Sequence, residues 1–196
     1  MIVAFAGRRI DAPDATTPRF PLTRVAVVRE QIEELFRQEQ VSSLMCSAAC
    51  GADLIALQVA QNLGIGYRIV LPFAAEQFRV TSVIDRPGTK EWNWGALFDR
   101  VISVAQEKGE LVVVETGEDR HAGYQAVNYA ILDEAVQQGR MQAGPSTTES
   151  SQEVHHVQAV IVWDGHVRGP QDLTLHFAEE ARGRGLVVKE ILTWPK

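Results

Sequence analysis

The sequence predicts a single α/β domain of Rossmann-like, three-layer type, built on a mostly parallel sheet of about six strands. Three observations carry this. Short β-type runs alternate with helical patterns along the whole chain. Several runs, such as the LVVV within Glu110 to Glu115, are apolar without interruption, as strands covered on both faces are. The chain has 196 residues, 45% hydrophobic and 22% charged, which suits one domain with a full core rather than a disordered chain.

Ile2 to Ala6 is apolar and bounded by Gly7, and reads as a buried strand. After a Pro-containing loop, Leu22 to Gln40 places Val25, Val28, Ile32, Leu35 and Phe36 on one helical face. Ser43 to Cys46 is the second strand, Gly51 to Leu63 a helix, and Tyr67 to Leu71 a third strand ending at Pro72. Ala74 to Val83 reads as a short helix and loop, with a turn at Arg86-Pro87-Gly88. Trp92 to Gln106 is a helix, Glu110 to Glu115 a strand and Tyr124 to Gln138 another helix. Residues 139–153 are Gly/Ser/Thr-rich and read as one mobile surface loop within a single domain spanning 1–196. Val157 to Trp163, Leu173 to Arg182 and Leu186 to Leu192 close the chain as strand, helix and strand.

Composition narrows the function classes. A net charge of −6 argues against a nucleic-acid surface, because duplex binding needs clustered Lys and Arg. The two cysteines, Cys46 and Cys50, read as buried small residues, not as a disulfide framework or part of a zinc site. His155 and His156 read as solvated loop residues, and no metal site is expected. The opening MIVAFAG is too short for a signal segment, and no apolar run reaches the roughly 20 residues of a membrane helix. A cytoplasmic protein with no membrane partner is expected.

In open parallel sheets, ligands bind beyond the carboxyl ends of the strands, where strand order reverses. The loops there are Gly7-Arg8-Arg9, Ser47 to Asp53, Pro72 to Glu76, Glu115 to Tyr124 and Trp163 to Thr174. They carry neither a G-x-G-x-x-G fingerprint nor a P-loop, so no dinucleotide or other cofactor is expected. Gly51-Ala52-Asp53 opens a helix whose N–H groups can hold an anion, or else Gly51 makes a turn and Asp53 meets the helix dipole. Arg8 and Arg9 offer guanidinium forks to phosphate, or are simply solvated. Tyr124 and Asn128 share a helix face, suited to stacking on a base and bonding its edge, or to the core's rim. Asp164 and Gly165 end the fifth strand and lead to Gly169, Asp172 and Thr174, where Asp172 or Thr174 can equally cap the next helix.

These blocks resemble the SLOG superfamily, the Rossmann-like group that includes Lonely Guy enzymes and the DNA-processing protein A domain. FAGRRI at 5–10, AACGADLIALQVAQNLG at 48–64, IVLPFAAEQFRVTSV at 69–83 and AVIVWDGHVRGPQDLTLHFAEEARGRGL at 159–186 carry the likeness. The resemblance implies a nucleotide or nucleotide-derived ligand at the strand ends, and a homodimer. The hydrolase branch has a PGGxGTxxE motif, with glycines cradling phosphate and a catalytic Glu. The matching stretch here runs Gly169-Pro170-Gln171-Asp172-Leu173-Thr174, with Phe177 where that Glu falls. The resemblance therefore implies binding or sensing more than hydrolysis.

Three readings follow. A nucleotide-binding or sensing domain would use Gly7, Arg8, Gly51 and Thr174 toward phosphate or ribose, with Tyr124 and Asn128 near the base. A nucleotide N-glycosidase would need a carboxylate from Glu76, Asp53 or Asp164. A non-catalytic interaction module would use Trp92 and Trp94 as anchors for a partner or a second copy, although buried core packing is the commoner fate of such aromatics.

Overall fold

The computed structural model describes residues 1–114, 120–143 and 156–194. The elements are β1 (Ile2–Gly7), α1 (Val25–Gln38), β2 (Ser43–Cys46), α2 (Ala52–Leu63), β3 (Gly66–Leu71), α3 (Ala75–Ser82), α4 (Trp94–Glu107), β4 (Leu111–Val113), α5 (Arg120–Ala143), β5 (Val157–Trp163), α6 (Leu173–Gly183) and β6 (Val187–Leu192). The expected α/β fold is confirmed: six parallel strands form one sheet in the order β4-β3-β2-β1-β5-β6.

Alternation along the central strands builds the layers. Val3, Phe5, Leu44, Cys46, Ile69 and Leu71 face a core completed by α1, α2 and α4. Ile2, Ala4, Met45, Val70, Ala159 and Ile161 face the opposite core, beneath α5 and α6. With both faces covered, β5 is buried along its full length, which is why its sequence is nearly unbroken in apolar residues.

The larger differences in element boundaries lie at two helices. Leu22–Arg24 forms a 3-10 turn after Pro21, so α1 begins at Val25. The fifth helix starts at Arg120 and continues to Ala143, taking in residues 139–143 that composition assigned to a loop. Arg, Met, Gln and Ala are strong helix formers, and they carry the helix past Gly139. The remainder of the expected loop, 144–153, lies outside the described residues.

After β4 the chain returns to the far side of β1, so β1 lies between β2 and β5. Strand order reverses there, and in this architecture the crevice opens beyond the carboxyl ends of those strands.

Candidate functional site

Two glycines bring the β1 end against the start of α2. A Cβ at Gly7 would sit 2.4 Å from the Ala52 Cβ, so α2 approaches the strand as closely as it does only because Gly7 has no side chain. Gly51 holds φ +103°, and a Cβ there would lie 2.8 Å from both the Arg8 carbonyl oxygen and the Ile10 nitrogen. Ala52 N–H donates to the Arg8 carbonyl at 3.1 Å, closing a short bridge between Arg9 and Gly51. Gly51→Ala is therefore expected to cost about 1–3 kcal/mol through backbone conformation alone, before any clash with main-chain atoms that cannot give way. Thermal unfolding of this variant beside wild type checks it, and an unchanged midpoint would remove the constraint.

A cavity of about 220 Å³ opens beyond these strand ends. Six of the sequence-derived candidates line it: Gly7, Arg9, Asp53, Tyr124, Asn128 and Thr174. Much of the remaining wall is apolar, from Phe5 and Phe78 on one side to Val127 and Ile131 on the other. Sequence reasoning missed Ser82, whose hydroxyl lies 2.8 Å from that of Tyr124. Its signal was its place in the 69–83 block. The Tyr124 ring packs edge-on against Phe73, 6.2 Å between centroids. Asn128 Nδ2 donates to the Leu173 carbonyl at 2.9 Å and lies 3.2 Å from His176 Nδ1, which ties α5 to the start of α6.

Asp53, in the first turn of α2, is only 6% exposed. Its Oδ2 accepts from the Ala49 N–H at 3.2 Å, while its Oδ1 is buried with no hydrogen-bond partner. Burial pushes this carboxyl up from 3.8 to about 7, against the opposing pull of the Ala49 N–H, Arg9 and the Gly7 N–H. Arg9 shows the same incompleteness with opposite polarity. Its Nη2 reaches the Asp85 carboxylate and lies 3.6 Å from Cys50 Sγ, but its Nε is buried without a partner.

Arg8 has a different setting. Its side chain is 2% exposed and lies among acceptors from the loop after β5. Nη1 and Nη2 donate to the two Asp172 oxygens at 2.5 and 2.7 Å, Nε to Asp164 at 3.1 Å, and Nη2 also to the His166 carbonyl at 2.8 Å. Arg19 adds a second cation to Asp164 at 2.8 Å. Asp172 also caps α6, accepting from the Thr174 and Leu175 N–H groups, and its Oδ2 takes the Arg168 N–H at 2.8 Å. Burial pushes the Asp172 carboxyl up, but Arg8 and the backbone donors outweigh it and hold the group below its ordinary value. The residues expected to offer free charge to a ligand here have satisfied one another.

The other candidates lie around the cavity without lining it. Gly51 and Ala52 make the turn into α2, and Pro72 is buried just after β3. Gly165 and Gly169 shape the β5–α6 loop at φ +78° and +103°. Glu76 is exposed on α3. Of the three carboxylates considered for catalysis, only Asp53 lines the cavity. Trp92 and Trp94 are 8% and 2% exposed and stack on each other at 5.5 Å, so the proposed anchor is core packing and any partner must use another surface. Cys46 and Cys50 are buried free thiols, and His156 is exposed. His155 and the expected site residues Glu115 to Asp119 lie outside the described residues. Among the described residues no helix is long and apolar enough to cross a membrane, and no three metal-ligating side chains come together.

No protein-family model matches this chain, and no curated protein does. Among solved structures, DNA processing protein A (DprA) from Streptococcus pneumoniae matches 96% of the chain with a TM-score of 0.50 and 12% sequence identity. The chain spans about half of that protein's length, 49%. Diaminopropionate ammonia lyase from Escherichia coli, in apo form, matches 87% of this chain and 72% of its own, at 14% identity and a TM-score of 0.22, and no argument rests on it. Fold and cavity together define a Rossmann-like α/β domain with a pocket at its topological switch point. Its fold is similar to that of about half of the DprA chain.

Proposed function

We propose that this chain is a SLOG-type domain that binds a nucleotide or nucleotide-derived small molecule in the cavity beyond β1 and β2. The observation that carries this reading is Asp53, a buried carboxylate with one unpartnered oxygen, on a residue that lines an otherwise largely apolar pocket. Core packing does not call for such a group, whereas ligand sites combine apolar walls with a few placed polar atoms. Tyr124 supplies an aromatic wall, and Asn128 is held in place by α6. Binding is favoured over N-glycoside hydrolysis because Phe177 stands where the hydrolase motif carries its catalytic Glu, and neither Glu76 nor Asp164 lines the cavity. Asp53 is the one acidic residue among the described lining residues, while Asp164 is committed to Arg8 and Arg19.

Isothermal titration against nucleosides, mononucleotides, cyclic nucleotides and ADP-ribose tests the proposal. At least one is expected to bind, with Tyr124→Ala weakening it by about 1–3 kcal/mol if the ring stacks on a base. Silence across the panel would overturn the reading. The neighbour's name refers to DNA processing, so single-stranded oligonucleotides belong in the same titration, with the net charge of −6 as the argument against them.

A further inference from the structure

Two arginines share a single carboxylate at the edge of the cavity. Arg9 donates through Nη2 to Asp85 Oδ1, and Arg86 Nε stands 3.7 Å from Asp85 Oδ2, near enough for an ion pair but too far for a hydrogen bond. The Nε atoms of both arginines are buried, and among the described residues neither finds an acceptor. Two guanidiniums against one carboxylate leave positive charge uncompensated. Asp53, the other acid that acts on Arg9, has its carboxyl pushed up to about 7 and offsets only part of it near neutral pH. Arg8 differs from this pair, since Asp172 and Asp164 enclose it.

The position of the pair suits a ligand that reaches out of the cavity. Arg9 lines the cavity beyond β1, and Arg86 lines a second one of about 240 Å³ with Thr89 and Asn93, so the Arg9–Asp85–Arg86 bridge links the walls of the two. The side chains are 28%, 33% and 27% exposed, open enough to be reached and buried enough that water screens their charge only in part. The turn that carries Arg86 is held by the stacked tryptophans. Trp94 Nε1 donates to the Pro87 carbonyl at 2.9 Å, and the Trp92 N–H donates to Thr89 Oγ1 at 2.9 Å. The two helix starts at the cavity are poorer places for a phosphate. At α6 the Thr174 and Leu175 N–H groups already donate to Asp172, and at α2 the Asp53 carboxyl occupies the first turn. An anion at either start meets an acid where it needs donors.

Resting on the nucleotide reading above, we propose that Arg9 and Arg86 form the phosphate site: the nucleoside part lies in the cavity and its phosphate pairs with both guanidiniums beside Asp85. A guanidinium presents its N–H groups in a planar fork that matches two phosphate oxygens, and two such forks balance a dianion that Asp85 alone leaves room for. Arg86 is the residue that distinguishes this site, because it touches the bridge without lining the nucleoside cavity.

The test is calorimetric titration of the full chain at pH 7.5 with adenosine, guanosine, cytidine and uridine, each beside its 5′-monophosphate. For the base that binds best, the monophosphate is expected to bind at least about tenfold tighter than its nucleoside, as hydrogen bonds between charged groups do. Arg86→Gln should cut that gain by at least about threefold and leave the affinity of the nucleoside itself unchanged. A gain below tenfold in wild type would overturn the proposal while leaving nucleoside binding intact, and this comparison does not depend on a variant folding. A gain that survives in Arg86→Gln would overturn it too, since the phosphate would then be held elsewhere. If no nucleoside or nucleotide binds, inorganic pyrophosphate decides. A thermal midpoint that it raises in wild type but not in Arg86→Gln would keep the anion site and remove the nucleotide reading, and no shift in wild type would remove both. A shift equal in the two proteins would also remove both.

Discussion

Arg8→Ala is expected to destabilise the protein by about 3–5 kcal/mol, the cost of leaving a buried charge without its partner. The side chains involved are almost fully enclosed, 2% exposed for Arg8, 0% for Asp172 and 6% for Asp164. Asp164 keeps Arg19, but Asp172 loses both guanidinium contacts and retains only backbone donors. Arg8→Lys should fall between, because an ammonium cannot reach both Asp172 oxygens and Asp164 in the planar geometry a guanidinium offers. The sign with pH follows from Asp172, whose carboxyl lies below its ordinary value in the folded state. Its contribution is present above the unfolded value and fades as pH falls through the folded one, so the gap between wild type and Arg8→Ala should narrow in acid. The double change Arg8→Met with Asp172→Asn separates charge from packing, since Asn still caps a helix and no unpaired charge remains. Urea unfolding should show the double variant recovering much of the loss. If Arg8→Ala alone unfolds at the wild-type midpoint, the cluster does not hold β1 to the α6 entrance.

That cluster also shows where sequence reading stops. Arg8, Asp164 and Asp172 each stood out as polar residues at strand ends and as ligand candidates, with Arg8 otherwise solvated and Asp172 otherwise a helix cap; the cap is what forms, and the pairing with Arg8 was not foreseen. Their mutual pairing depends on β1 lying beside β5, with Gly7 in register with Val162. Local patterning does not encode strand order, so residues 164 positions apart, as Arg8 and Asp172 are, could not be matched by charge. The strands themselves were legible because parallel strands buried on both faces require continuous apolar residues. The Gly51 turn was legible because no other residue suits it. Asp53 was visible only as a favourable charge in a first helical turn. Its burial, and the vacancy at its Oδ1, come from α2 being drawn against Gly7, a contact between segments that are far apart in sequence. Trp92 and Trp94 were open between an anchor and core packing, and the entry into α4 turns both inward, Trp92 just before the helix and Trp94 at its first residue.

Asp53→Asn is expected to stabilise the protein markedly at pH 8 and much less at pH 5. In the folded state burial raises this carboxyl from 3.8 to about 7. Between those values the native state binds a proton that the unfolded chain has lost, so stability falls as pH rises through that window. Above it the ionised group costs the fold on the order of 4 kcal/mol, at roughly 1.4 kcal/mol for each unit of displacement. Asn keeps the shape and an acceptor for the Ala49 N–H, and it carries no charge to desolvate. Urea midpoints at the two pH values decide the matter, and a variant that is less stable at pH 8 would show that the carboxylate is already satisfied. A ligand N–H that reaches Asp53 should return part of this cost on binding and release the carboxyl's proton near neutrality. The thermal shift produced by that ligand should therefore grow from pH 6 to pH 8 in wild type and lose its pH dependence in Asp53→Asn. A carboxylate that served only the fold would give the first result without the second, and that difference separates a binding group from a buried liability.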